Sequence, residues 1–218
     1  MANINFIWLG DIVPEEFMDN YRICYNMNVG DDVKLWRDNS ILQMAREYGI
    51  EDIYSKVNLV NKINLSKLLV LYYSPGVYSD LDITWKRPVK ELVFDLKTSV
   101  YNGAFFPNHE RFYPNPEFIS CVRPYTHVYK TQKVYIFDDH LMFITKDAAK
   151  KIIDYSSEKW INKKFDFTIK FEPFGPVSVT EMIFDKKLKA GMWDDFQCQA
   201  RGIYCDHKST RLWDPKPF

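Results

Sequence analysis

The stretch Leu71-Tyr72-Tyr73-Ser74-Pro75-Gly76-Val77-Tyr78-Ser79-Asp80-Leu81-Asp82 decides the fold. Leu65, Leu68, Leu69 and Tyr72 lead into it at helical spacing and predict a helix over Asn61–Tyr73 with these residues inward. Ser74-Pro75-Gly76 ends that helix, because proline cannot continue it and glycine accepts the turn. Val77-Tyr78-Ser79 then reads as a short strand whose carboxyl end delivers Asp80-Leu81-Asp82.

Upstream, the same alternation repeats. Asn3–Leu9 reads as a buried strand closed by Gly10-Asp11. Pro14-Glu15-Glu16 opens a helix, with proline suited to the first turn and acids to the positive end. Phe17, Tyr21, Cys24 and Tyr25 fall on one face of it. Val33–Trp36 is a second short strand, and Asp38 or Asn39 is expected to cap a helix that stops at Gly49. Strand and helix alternating over 82 residues predict an α/β fold, with a largely parallel sheet covered by helices.

The second half is less regular. Val100–Phe106 is expected to be a strand, as are Val134–Phe137 and Leu141–Thr145, which flank Asp138-Asp139-His140. Asp147–Trp160 reads as a helix, and Gly175-Pro176 precedes another through Lys187. Phe112–Tyr129 holds three prolines and five aromatic residues and reads as a long surface excursion, either a ring-lined acceptor wall or ordinary loop packing. The tail from Tyr204 to Phe218 is polar and basic. No linker divides the chain, so one domain over 1–218 is expected.

Composition excludes several classes. Lys plus Arg and Asp plus Glu both total 29, so no polybasic field exists for nonspecific nucleic-acid binding. Apolar runs such as Leu68–Tyr73 are too short to span a bilayer. Met1–Asn5 has no basic start of the kind secretory signals carry, and a cytoplasmic location is expected. Cys24, Cys121, Cys198 and Cys205 form no Cys-x-x-Cys and are expected to be reduced, a Cys198–Cys205 bridge being the lesser alternative. Aromatic residues at 17% suit a protein that stacks rings on flat ligands.

Asp80 and Asp82 carry the chemistry. Two carboxylates two apart on extended backbone point the same way, so both can approach one cation. Hard oxygen ligands suit Mg²⁺ or Mn²⁺. In an open α/β sheet, ligands gather at the carboxyl ends of the strands.

Three runs, Ile7-Trp8-Leu9-Gly10, Lys34-Leu35-Trp36-Arg37-Asp38 and Leu71–Asp82, resemble the sugar-binding-region glycosyltransferases with a DXD motif. That family includes yeast-type initiating mannosyltransferases and, more distantly, the large clostridial glucosylating toxins. Phe174-Gly175-Pro176-Val177-Ser178-Val179-Thr180 is similar to its Gly-Pro segment, and His207 followed by Trp213 to its closing His and Trp. The length and the lack of a membrane anchor are those of a compact bacterial or virus-encoded member.

The resemblance implies a GT-A fold, a Rossmann-like nucleotide-binding sheet abutting an acceptor-binding half. It implies a metal-dependent transferase that moves a hexose-type sugar, with retention, from a UDP- or GDP-linked donor. The acceptor would be the hydroxyl of a glycan or of a protein-linked sugar, and the cation Mn²⁺ or Mg²⁺. It assigns Asp82 as the firmer metal ligand, Asp80 to metal and ribose, and His207 as the C-terminal ligand, with neighbouring Asp206 as the alternative. Trp8, with Leu9 beside it, matches the position that packs on the nucleobase. Trp213 matches the residue near the diphosphate, and Lys208 and Arg211 would add positive charge there.

Asp139 is taken as the residue of Asp138-Asp139-His140 that meets donor sugar or acceptor; a structural turn is the alternative reading. Thr180 and Glu181 could line the sugar pocket or cap their helix. The chain departs from the family at Asn64 and Lys67, where an Asp and an Arg are usual, and at Pro75-Gly76 in place of Gly-Gly. Asn64 lacks charge, and Lys67 lacks the planar fork of arginine; a solvated helix face is the plain alternative for both. These departures favour a second reading, a non-catalytic nucleotide-sugar-binding module descended from a transferase. A sugar-1-phosphate nucleotidylyltransferase would need a glycine-rich basic loop, and Trp8–Pro14 holds one glycine and no Lys or Arg.

Overall fold

The structure is a computed structural model and describes residues 3–92, 117–129, 132–164, 173–185, 187–192 and 204–208. The expected strand over 100–106, and residues 112–116 of the expected excursion, lie outside them, as do Arg211 and Trp213.

The first half follows the predicted alternation: β1 (Asn3–Trp8), α1 (Glu15–Met27), β2 (Asp32–Arg37), α2 (Asp38–Tyr48), α3 (Glu51–Lys56), α4 (Leu59–Tyr73) and β3 (Gly76–Ser79). β1 pairs in parallel with β2 on one side and β3 on the other. Local chemistry explains the boundaries. Asn58 caps α4 by accepting the Asn61 N–H, and Gly49 ends α2 in the left-handed region at φ 85°. Gly76 is required by close approach, since a Cβ there would run into the carbonyl oxygen of Asn3 on β1.

Tertiary contacts correct three expectations. Asp38 is the first residue of α2, and its carboxylate accepts the Gly10 N–H at 2.8 Å, tying the loop after β1 to the start of α2. On α1, Tyr25 is exposed and Asn20 is buried in its stead, donating to the Leu81 carbonyl at 2.8 Å. α4 is buried nearly all round, Asn64 and Lys67 included, so its polar residues do not form a solvated face.

The second half completes the sheet with mainly antiparallel partners. β5 (Phe118–Tyr129) and β6 (Gln132–Ile144) are long, β7 (Ala190–Met192) is short, and the order is β2-β1-β3-β6-β5-β7. β6 runs antiparallel to β3 and β5, so the sheet is mixed where a largely parallel one was expected. Residues 118–129, expected in a surface excursion, form a strand. The pairing shifts register between Arg123 and Thr126, around Pro124, because proline has no N–H for the ladder. Asp138-Asp139-His140 lies within β6, not in a turn between two strands.

α5 (Lys146–Ile161) and α6 (Pro176–Phe184) follow, α6 stopping short of Lys187. β4 (Ile83–Trp85) and β8 (Cys205–His207) make a separate two-stranded antiparallel sheet. Cys24 and Cys205 are buried, and Cys198, the other half of the alternative bridge, lies outside the described residues. Alternate residues of the strands feed opposite faces: Tyr78 packs with α2, α4 and α5 side chains, and Val77 with Phe17 and Cys24 of α1. Helices therefore cover both faces, and the parallel strands β1, β2 and β3 end at one edge.

Candidate functional site

At that edge β3 gives way to Asp80-Leu81-Asp82. The Asp80 N–H donates to the His140 carbonyl at 2.7 Å, which anchors the acidic turn to β6. Directly after the turn, β4 pairs with β8, with Ile83 opposite His207. The Lys208 N–H donates to the Asp82 carbonyl at 3.1 Å. His207, 125 positions away in sequence, is thereby set beside Asp82.

Asp80, Asp82 and His207 each offer a ligand atom, and these atoms lie within 4.8 Å of one another. His207 Nε2 is 3.2 Å from Asp82 Oδ1. Asp206 is turned away from this group, as alternation along a strand requires, and pairs with Lys86 at 2.6 Å. Of the two C-terminal ligand candidates, His207 is the one brought to the acidic pair.

Lys67 enters the cluster from α4. Its ammonium lies 3.2 Å from Asp80 Oδ1 and 3.5 Å from Asp139 Oδ1, donates to the Asp139 carbonyl at 3.3 Å, and sits 5.0 Å from the Tyr78 ring centroid. The Tyr78 hydroxyl donates to Asp80 Oδ1 at 2.6 Å. Burial pushes the Asp80 carboxyl above the ordinary carboxylate range. Lys67 pulls it back down, Asp139 and Asp82 push it up again, and the Tyr78 hydrogen bond lowers it. Burial and the neighbouring carboxylates hold the Tyr78 phenol well above its usual value, so it stays a donor.

Among the described residues, Lys67 faces Asp80 and Asp139, and Asp82 adds its charge to theirs on Asp80. Two carboxylates and an imidazole that converge in this way fit a hard or borderline dication such as Mn²⁺ or Mg²⁺.

The other predicted residues divide. Trp8 is half-buried beside Phe17, ring centroids 5.6 Å apart, and Leu9 packs on the opposite core; both sit at the sheet edge that carries the acidic turn. The Asn64 amide donates to the Phe174 carbonyl at 2.8 Å, and Asn61 accepts the Phe174 N–H at 3.1 Å. Asn64 therefore clamps the Gly-Pro segment to α4.

The Thr180 hydroxyl accepts the Phe137 N–H and donates to the Pro176 carbonyl, and Glu181 pairs with Lys159 at 2.8 Å. Both are held by structural partners. The Lys208 side chain is exposed. Sequence reasoning leaves His140 open, yet its ring lies buried against that of His207. Its place directly after Asp139, on a strand facing the acidic turn, is the available signal.

Residues 14–98 match the family described as "Glycosyltransferase sugar-binding region containing DXD motif", a span that includes Asp80 and Asp82. Inositol phosphoceramide mannosyltransferase 1 of Schizosaccharomyces pombe is 25% identical over 96 residues, covering 41% of this chain and 30% of that protein. Among solved structures, the PaToxG glycosyltransferase aligns over 85% of this chain and 69% of its own, with TM-score 0.54 and 16% identity. The catalytic domain of alpha-toxin from Clostridium novyi aligns over 85% of this chain and 63% of its own, at TM-score 0.44 and 10% identity. The fold is that of a GT-A glycosyltransferase domain, and the matched region supports a transferase.

Proposed function

We propose that this chain is a metal-dependent hexosyltransferase that takes a nucleoside-diphosphate sugar, UDP- or GDP-linked, and passes the sugar with retention to a hydroxyl of a glycan or protein-linked sugar. One observation carries the reading: Asp80, Asp82 and His207 converge within 4.8 Å at the carboxyl edge of a GT-A sheet. Asp82 and His207 would hold Mn²⁺ or Mg²⁺, and Asp80 would share it while Lys67 and Tyr78 keep its carboxylate oriented. When bound, the ion supplies positive charge against which a leaving diphosphate develops its negative charge.

The residues around this centre have separable tasks. Trp8 and Leu9 offer apolar surface for a nucleobase at the end of β1, and Lys208, Arg211 and Trp213 are assigned to the diphosphate. Asp139, held by Lys67, is assigned to a sugar hydroxyl, and Asn64 acts through the Gly-Pro segment that it clamps. The reading includes a single domain over 1–218. It also includes action in the cytoplasm, where the buried thiol of Cys24 fits a reducing environment. Among the described residues no helix is long and apolar enough to cross a membrane.

The test is a donor-hydrolysis screen of UDP- and GDP-sugars with and without Mn²⁺, since transferases slowly pass their sugar to water. Metal-dependent release of sugar from one donor is the expected result. Binding of a donor without release at any metal concentration would favour the non-catalytic module, which the engagement of Asn64 with Phe174 makes the second reading.

A further inference from the structure

His140 reaches the acidic cluster by two routes. Its carbonyl accepts the Asp80 N–H at 2.7 Å, and its imidazole, 3% exposed, lies flat against that of His207. The ring centroids are 4.3 Å apart and the planes 12° from parallel. The two histidines arrive on very different supports. His140 belongs to β6, a 13-residue strand inside the six-stranded sheet, and the Asp80 N–H ties it to the end of β3, whereas β8 has three residues and pairs with β4 in a two-stranded sheet. Cys205 anchors β8 in the core, whereas His207 is the last residue of the strand, where its pairing with β4 ends. The ring of a ligating histidine needs a partner that fixes its orientation.

We infer that His140 is a positioning residue for the candidate cation centre. Its buried ring is the flat backing that holds the His207 imidazole in place beside Asp80 and Asp82. The inference rests on the reading of those three residues as a cation site. The loss of His207 rotamer freedom is taken at folding, so less ordering remains to oppose binding.

The test compares His140→Phe with His140→Leu in the full chain. Both are apolar and of similar volume, and only phenylalanine keeps a flat face. The probe is Mn²⁺ alone, with free ion measured by electron paramagnetic resonance. The phenylalanine variant should bind within about twofold of the parent and the leucine variant about tenfold more weakly. In metal-free protein, the His207 ring protons should move downfield in the leucine variant, because the ring current of the stacked neighbour is gone. Equal Mn²⁺ affinity of the two variants, or unmoved His207 resonances, overturns the inference and leaves the cation site standing. Absence of Mn²⁺ binding by the parent chain overturns the site and the inference together.

Discussion

Two lysines are buried to a similar depth in this molecule, and their surroundings differ in kind. Lys159 on α5 meets Glu181 on α6 at 2.8 Å, and Glu181 also accepts the Tyr155 hydroxyl at 3.1 Å. Lys67 lies at 3.2 and 3.5 Å from two carboxylates, with Asp82 adding its charge to theirs on Asp80. The close pair locks two helices together. The looser cluster stands at a sheet edge, where ligand atoms of Asp80, Asp82 and His207 converge within 4.8 Å. Burial alone does not separate a structural ion pair from a candidate functional one; the convergence of ligand atoms does.

The largest effect that can break this contrast is in stability. Lys159→Met strands Glu181 in the interior and should cost about 3–5 kcal/mol in urea unfolding, with no recovery on adding Mn²⁺. Asp82→Ala should do the reverse, lowering metal-dependent donor hydrolysis at least about 100-fold while leaving the melting temperature near that of the parent. Lys67→Met tests the same division at one residue. It should melt lower in metal-free buffer and regain stability in a Mn²⁺ titration, because a ligand that binds only the folded chain stabilises it by mass action. A Lys67→Met loss that Mn²⁺ does not relieve would place Lys67 with Lys159.

A subtler effect concerns pH. The Asp80 carboxyl is raised in the fold, so its contribution is fully present below its unfolded value and is lost as pH rises through the folded one. Relative to the parent, metal-free Asp80→Asn should therefore gain stability as pH rises through that window, and a flat difference would refute the burial argument. The smallest effect is expected at Asp206→Ala. It removes a half-exposed pair with Lys86, should cost less than about 1 kcal/mol, and should leave Mn²⁺ binding unchanged.

Much of the site is legible in the amino-acid order. The acidic pair can be placed because a helix stop, a Pro-Gly turn and a strand precede it, all read from neighbours in sequence. His207 is legible only through resemblance, since nothing in Tyr204–Phe218 announces a strand of three residues. Asn64 and Lys67 stay open between a ligand role and a solvated face, because α4 is buried nearly all round and such a helix has no polar side for periodicity to reveal. The segment 118–129 reads wrongly as a loop because Pro124, with Pro114 and Pro116 before it in sequence, signals one, and only pairing with β6 makes a bulged strand of it.

Local chemistry in the chain determined the alternation of the first 82 residues, the turn at Gly76 and the acidic pair after it. These depend on steric limits, turn geometry and charge within a few residues. Tertiary structure alone decided that β6 runs antiparallel beside β3, that Lys67 points into the carboxylates, and that His207 reaches Asp82 with His140 behind it. Each of those is a contact between residues far apart in sequence, fixed by how sheet edges and helix faces close on one another, and no local pattern encodes it.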